Sequence, residues 1–315
     1  MTAPPAAPPM AATEAARATA QPAAGDRVWT ALDLLRWTTD YFSSRGIDTA
    51  RLDAECLLAH ALGVDRVRLY IDFEKPVSTE ERSGFRELVR RRGTDRVPVS
   101  HLIGSREFWS LPLFVSPDVL TPRPDTETLV QVALDQIAVK TPLILDMGTG
   151  SGAIALALLS ELPNAHVVAT DVSSVALAVA RKNADVHGFA DRIEFREGSL
   201  FEPVACERFD IVVSNPPYLA EVNRSQLPPE LDHEPDVALF AGSDGLDVLR
   251  GLWAGVADVL VPGGVAAFEL SSEQVPAVSD GLRDAGLADV TCFRDFEDRP
   301  RVVAGRKPAV SAGGV

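Results

Sequence analysis

The apolar positions change period along the chain. From Val28 to about Arg45, Ala31-Leu32, Leu34-Leu35 and Phe42 recur near helical spacing, and Gly46 ends the segment. Thr49 can cap a second helix running to about Leu62, with Leu52, Cys56, Leu57 and Leu58 expected inward and Gly63 as its stop. A shorter helical piece is expected around Arg66 to Phe73. Ser78-Thr79-Glu80-Glu81 forms a capping box. The helix it opens carries Phe85, Leu88 and Val89 and closes at Arg90-Arg91-Arg92-Gly93. Those arginines complement the helix dipole, and a partner-binding patch is an equal reading. Residues 27–100 therefore read as a small helical domain.

Between His101 and Pro124 the pattern changes. Glu107-Phe108-Trp109-Ser110 and Leu113-Phe114-Val115-Ser116 flank Leu111-Pro112, which predicts a β-hairpin. This linker spans 101–123. Asp125 is a natural cap for the helix that follows, with Glu127 in its first turn. From Leu143 onward strands alternate with glycine turns and helices. The strands are Leu143–Asp146, His166–Thr170, Ile193–Phe195, Phe209–Val213 and Val265–Leu270. Helices are expected over Ala153–Leu159, from Ser173 or Ser174 to Gly188, over Leu246–Leu260 and from Glu273. Val290–Phe293 and Arg301–Ala304 form a final hairpin. Such alternation implies a parallel sheet covered on both faces, over residues 124–308.

Residues 1–26 are rich in Ala, Pro and Thr and hold almost no large apolar side chains, so a disordered tail is expected there, and another over 309–315. The start lacks the basic and apolar regions of a signal peptide. The formal net charge of -15 over 315 residues argues against a grip on nucleic-acid phosphates. Cys56, Cys206 and Cys292 are scattered and show no metal-ligand or disulfide spacing. A cytoplasmic monomer without metal, membrane or direct nucleic-acid contact is the expectation.

The candidate chemistry lies where the fourth strand stops, at Ser214-Asn215-Pro216-Pro217-Tyr218. Proline cannot continue a strand ladder. The Asn215 and Pro216 carbonyls are therefore left as acceptors at the strand end, where open α/β sheets bind ligands. Asn215 adds a side-chain amide, and Tyr218 a flat apolar face. Such groups suit a planar –NH2 held by its hydrogens while its nitrogen meets an electrophile. The glycine turn Gly148-Thr149-Gly150-Ser151-Gly152 is ambiguous by itself, because Gly148-x-Gly150-x-x-Ala153 also fits a nicotinamide dehydrogenase. Asp171, about 20 residues beyond, stands at the distance from which an acid reaches ribose hydroxyls.

Asp146-x-Gly-x-Gly-x-Gly, Asp171 and Asn-Pro-Pro-Tyr together resemble the class I S-adenosylmethionine-dependent amino-methyltransferases. Arg106-Glu107-Phe108-Trp109-Ser110-Leu111-Pro112-Leu113, Pro122–Glu127 and Asp232-His233-Glu234-Pro235 narrow the resemblance to the protein-(glutamine-N5) methyltransferase family, over about residues 28–306. That resemblance implies a Rossmann-like, mostly parallel sheet with a C-terminal antiparallel hairpin, preceded by a helical domain that recognises peptide chain release factors. The implied substrate is the glutamine of their Gly-Gly-Gln loop.

Carried over by residue, Gly148, Thr149, Gly150, Ser151 and Gly152 would wrap the methionine part of S-adenosylmethionine, Asp171 would hold its ribose, and Leu200 would touch its adenine. Asn215, Pro216, Pro217 and Tyr218 would hold the glutamine amide, Asn215 also facing the cofactor; Asn215, Pro216 and Tyr218 would be the catalytic groups. Ser199 stands where the family often has an acid, and Ser271-Ser272-Glu273-Gln274 replaces a glycine-containing segment. His233 reads as a loop-ordering residue. Methyl transfer would be direct, without a strong base. A ribosomal-protein glutamine or the adenine amine of DNA needs the same clamp, and an inactive cofactor-binding module is the non-enzyme alternative.

Overall fold

The computed structural model describes residues 28–309. Apart from Ala309, the tails expected over 1–26 and 309–315 lie outside the described residues. The chain divides into two compact units, Met1–Val89 and Arg90–Val315. They part inside a helix, ahead of the boundary at 100 that the sequence pattern marks.

In the first unit, α1 (Ala31–Ser44) opens on a reciprocal capping box between Thr30 and Asp33. It buries Leu34, Leu35 and Phe42. α2 (Ala50–Leu62) closes at Gly63, whose φ of +62° suits a residue without Cβ. Leu57 and Leu58 face inward as expected, whereas Leu52 is 43% exposed. Leu52 is five positions before Leu57, which at 3.6 residues per turn turns it away from the buried stripe. The inward face instead includes Glu55, which accepts from Arg51 at 2.6 Å, from Arg66 at 2.8 Å and from the Tyr70 hydroxyl. Burial pushes its carboxyl up, but the hydrogen bonds from Tyr70, Arg66 and Arg51 hold it below the usual range. α3 covers Arg66–Ile71, and α4 covers Thr79–Gly93 behind the Ser78–Glu81 box.

After the last turn of α4, the second unit continues with an unanticipated short helix, α5 (Val99–Ile103). Before it, Arg92 is only 6% exposed and pairs at 2.8 Å with Glu230, which Arg96 also contacts at 2.7 Å. Arg92 is therefore an internal brace and not part of a surface patch. Strands β1 (Ser105–Phe108) and β2 (Leu111–Phe114) make the hairpin, with its turn at Trp109-Ser110 and not at Leu111-Pro112. Trp109 and Ser110 have φ of +50° and +61°, the sign that a two-residue turn matching strand twist demands. Pro112 sits within a two-stranded ribbon, where one missing N–H is tolerated.

α6 (Glu127–Gln136) follows a 3-10 turn at Pro124–Thr126. Asp125 does not cap it: its carboxylate pairs with Arg299 at 3.0 Å and Arg301 at 2.9 Å. Glu127 accepts from the Trp109 N–H at 3.0 Å, tying the helix to the hairpin turn.

The sheet contains β3 (Leu143–Met147), β4 (His166–Asp171), β5 (Ile193–Glu197), β6 (Phe209–Ser214), β7 (Leu260–Glu269), β8 (Ala288–Arg294) and β9 (Pro300–Arg306). Its order is β5-β4-β3-β6-β7-β9-β8. The pairings from β5 through β7 are parallel and β8 pairs antiparallel with β9, as the sequence pattern predicts, and β9 is also antiparallel to β7. Helices α7 (Ala153–Glu161), α8 (Ser174–His187), α9 (Asp236–Leu239), α10 (Asp247–Val259) and α11 (Val275–Asp284) complete the unit.

Alternate strand residues serve opposite faces. Ile144, Ile211 and Val213 pack with α6 and α7, whereas Leu145 and Val212 pack with α10 and α11. Strand order reverses at β3: the chain proceeds from it to β4 and β5 on one side, then returns to β6 and β7 on the other. That switch leaves a crevice at the strands' C-terminal ends.

Candidate functional site

A cavity of about 340 Å³ occupies this crevice. Its wall includes Gly148, Thr149, Gly150, Ser151, Asp171, Leu200, Asn215, Pro216 and Pro217. Gly152 and Tyr218, expected at the same site, do not border it.

The glycine turn is fixed by its neighbours. The N–H groups of Gly148 and Thr149 both donate to the Thr170 carbonyl, at 2.8 and 2.9 Å. The φ of +71° at Gly148 and +55° at Gly150 bring the backbone to the cavity edge. Asp146, fully buried, accepts from the Thr149 hydroxyl at 2.7 Å and from the first turn of α7, at Ala155 N, at 3.2 Å. Burial pushes its carboxyl up to about 7, against those two hydrogen bonds. Asp146 thus braces the turn from behind. Gly152 is the N-cap of α7, and a Cβ there would lie 3.3 Å from the Ala180 Cβ on α8. Its small size serves helix packing.

Asp171 accepts from Gly150 N and from Ser173 N, each at 2.9 Å. With about four acceptor sites, the carboxylate keeps capacity for a ribose hydroxyl. Burial raises its pKa while the N–H donors oppose the rise. Leu200, held at a φ of +48°, lies over Gly251, where an added Cβ would come within 2.4 Å of Leu200 Cδ1. Ser199 stands beside it in the wall.

At the other end of the cavity, the Ser214 hydroxyl donates to the Met147 carbonyl at 2.7 Å and locks β6 to β3. Asn215 Nδ2 donates to the Thr126 hydroxyl at 3.0 Å. Asn215 Oδ1 is buried and has no hydrogen-bond partner. Among the described residues no donor engages the Asn215 or Pro216 carbonyl either. A buried acceptor left open is costly, and one on a cavity wall is a receptor for a donor.

Tyr218 packs into the core beside α10, and burial, with the nearby Glu269, pushes its phenol up to about 12. Its main chain holds the loop: Gln274 Nε2 donates to the Tyr218 carbonyl at 3.1 Å and to the Gly245 carbonyl at 3.0 Å. The Ser271–Gln274 departure therefore supplies the loop's buckle.

Three further residues were not legible as site residues. Glu269, at the end of β7, is 1% exposed, and burial pushes its carboxyl up to about 7 despite hydrogen bonding from Thr126 and Tyr218. It is the one acid in the apolar run Val265–Leu270, and that was the available signal. Thr126 lay inside a recognised motif without a role. Glu234 accepts from Thr121 N at 3.1 Å and Arg123 at 2.5 Å, closing the cavity rim. Its neighbour His233 bonds the Asp95 carbonyl at 2.7 Å, a loop contact.

The donor set fits an S-adenosyl nucleotide: a backbone cradle, an acid with free lone pairs at a half-buried edge, and an apolar side chain beyond it.

Comparison with known proteins agrees with this geometry. Residues 33–104 match the PrmC N-terminal domain, and residues 124–228 match the methyltransferase small domain. Among solved structures, the hMettl16 catalytic domain in complex with the MAT2A 3′UTR hairpin 1 is similar with a TM-score of 0.54 at 15% identity, covering 72% of this chain and 80% of that one. This likeness shows a shared fold. The release factor glutamine methyltransferase of Geobacter sulfurreducens is 43% identical over 280 residues, 89% of this chain and 97% of that protein. That of Xylella fastidiosa strain Temecula1 is 45% identical over 82% of this chain and 94% of its own length. With such identity across nearly the full length of both partners, this chain belongs to the release factor glutamine methyltransferase family.

Proposed function

We propose that this protein transfers a methyl group from S-adenosylmethionine to the side-chain nitrogen of the glutamine in the Gly-Gly-Gln loop of peptide chain release factors. The observation that carries the reading is the buried, unpartnered Asn215 Oδ1 in the wall of a cavity that also holds the glycine turn and Asp171. An amide nitrogen is a poor nucleophile because its lone pair is delocalised. Asn215 Oδ1 and the Pro216 carbonyl accept its two hydrogens, hold it in line and stabilise the positive charge that grows on it.

Bound S-adenosylmethionine supplies the electrophilic methyl and leaves as the neutral thioether. Gly148 to Ser151 would cradle its methionine part, Asp171 its ribose and Leu200 its adenine. The nitrogen loses its proton to water after the new bond forms, so no side chain must act as a strong base. Pro217 shapes the wall, and Tyr218 acts from behind it by anchoring the loop.

The helical residues 27–100 are assigned to release-factor recognition, 101–123 to the connecting hairpin and 124–308 to catalysis. The protein would act as a cytoplasmic monomer without direct nucleic-acid contact. Among the described residues no helix is long and apolar enough to cross a membrane.

The test offers labelled S-adenosylmethionine with purified release factor, ribosomal protein and DNA separately, followed by peptide mapping. Label on the Gly-Gly-Gln glutamine is expected. Label on another substrate overturns the partner, and bound cofactor without transfer overturns the enzyme.

A further inference from the structure

The two ends of an asparagine amide have the same shape, so packing alone does not decide which faces the cavity. The choice matters, since Oδ1 can hold a substrate N–H and Nδ2 cannot. The Thr126 hydroxyl touching Asn215 could serve as donor or acceptor. What fixes the sense of that contact must lie on the far side of Thr126.

Glu269 lies there. The Thr126 hydroxyl and the Tyr218 phenol are the two hydroxyl groups beside its carboxyl. Thr126 is 3% exposed and Glu269 1%. The charged groups facing Glu269 are Arg301 from β9 and Asp125 from the turn before α6. Arg301 is engaged by Asp125 at 2.9 Å and Asp295 at 3.4 Å, and among the described residues it makes no ion pair with Glu269. Glu269 Oε2 is buried without a partner. A buried acid outside an ion pair is a net cost to stability, so structure does not account for it.

We infer that Glu269 and Thr126 are positioning residues that set the sense of the Asn215 amide: the Thr126 hydroxyl donates a hydrogen bond to Glu269, the Thr126 oxygen accepts one from Nδ2, and Oδ1 is left for the substrate. The inference rests on the proposed amide-methylating function. In its ionised form, which gains weight as pH rises through about 7, the acid can only accept, so the hydroxyl then points towards it and presents its lone pair to Asn215. The three residues come from the start of α6, the end of β6 and the end of β7, so the chain of contacts is made only in the folded unit. Without Glu269 the hydroxyl is free to turn and donate to Oδ1, which offers the substrate an NH2 group where it needs an acceptor.

The test compares wild type with Thr126→Val, Thr126→Ser, Glu269→Leu and the Thr126→Val/Glu269→Leu double variant. Transfer to release factor is measured at saturating S-adenosylmethionine, and cofactor affinity is measured on the same samples. Thr126→Val should lower kcat by roughly tenfold to a hundredfold, the scale of a misaligned reactant. Its cofactor Kd should stay within about twofold, and Thr126→Ser should recover most of the rate. Glu269→Leu should fall likewise, and the double variant should be no worse than Thr126→Val, because the two act through one contact. A Thr126→Val enzyme as fast as wild type overturns the inference while leaving the function standing. A Thr126→Ser enzyme as slow as Thr126→Val also overturns it, since the hydroxyl is then not what matters. Should Thr126→Val fail to bind cofactor, Glu269→Leu decides alone: unchanged kcat overturns the inference. Wild type that labels no release factor overturns the function, and the inference with it.

Discussion

Gln274 donates its side-chain amide to the Tyr218 carbonyl across 3.1 Å, linking the segment after β7 to the loop that carries Asn215. Its Oε1 in turn accepts from Ser271 N at 3.1 Å. Gln274→Ala would leave the Tyr218 and Gly245 carbonyls without this donor, a loss of about 1–3 kcal/mol for buried acceptors. Thermal denaturation should show a lower Tm, and kcat should fall while cofactor Kd holds. A variant with lower Tm and unchanged kcat would separate the buckle from the chemistry.

Gly245 lies under the same loop. Its φ is +76°, and a Cβ would fall 2.4 Å from the Tyr218 carbonyl oxygen, a backbone atom that cannot step aside cheaply. Gly63 has a similar φ of +62° but open space around it. Gly63→Ala should therefore cost about 1 kcal/mol of backbone strain alone. Gly245→Ala should cost more and also impair transfer. Equal Tm losses and equal activity in the two variants would contradict the close approach.

Asp146 makes stability depend on pH. Burial raises its carboxyl from 3.8 to about 7, so between those values the folded protein binds a proton that the unfolded chain has released. Stability contributed by that proton is lost as pH rises through the window. Asp146→Asn removes the titration. The Tm of the variant minus that of wild type, measured without ligand, should climb from about pH 4 to about pH 7 and level off above it. A flat difference would place the Asp146 pKa near its ordinary value.

The β-α alternation, the glycine turn and the Asn-Pro-Pro-Tyr stop were legible because each depends on local backbone rules: strand period, left-handed φ and proline's missing N–H. The order of the strands in the sheet was not read from the sequence, because it depends on pairings between remote segments. Residues whose partners are remote were not legible. Thr126 meets Asn215 across 89 positions, and Arg92 meets Glu230 across 138. No periodicity encodes either contact. Leu52 misled because residue type was taken for role, whereas helix phase turned it outward. Asp125 looked like a cap by position, but Arg299 and Arg301 from the distant end of the chain claimed its carboxylate.

The central claim is that Asn215 holds the reacting amide. The most direct test measures transfer of labelled methyl to the release factor glutamine by Asn215→Ala, with cofactor affinity determined on the same sample. Removing one preorganised polar group from a transition state costs about a hundredfold to a thousandfold in kcat. The account predicts a loss of at least that order with cofactor Kd nearly unchanged. Turnover equal to wild type would contradict it.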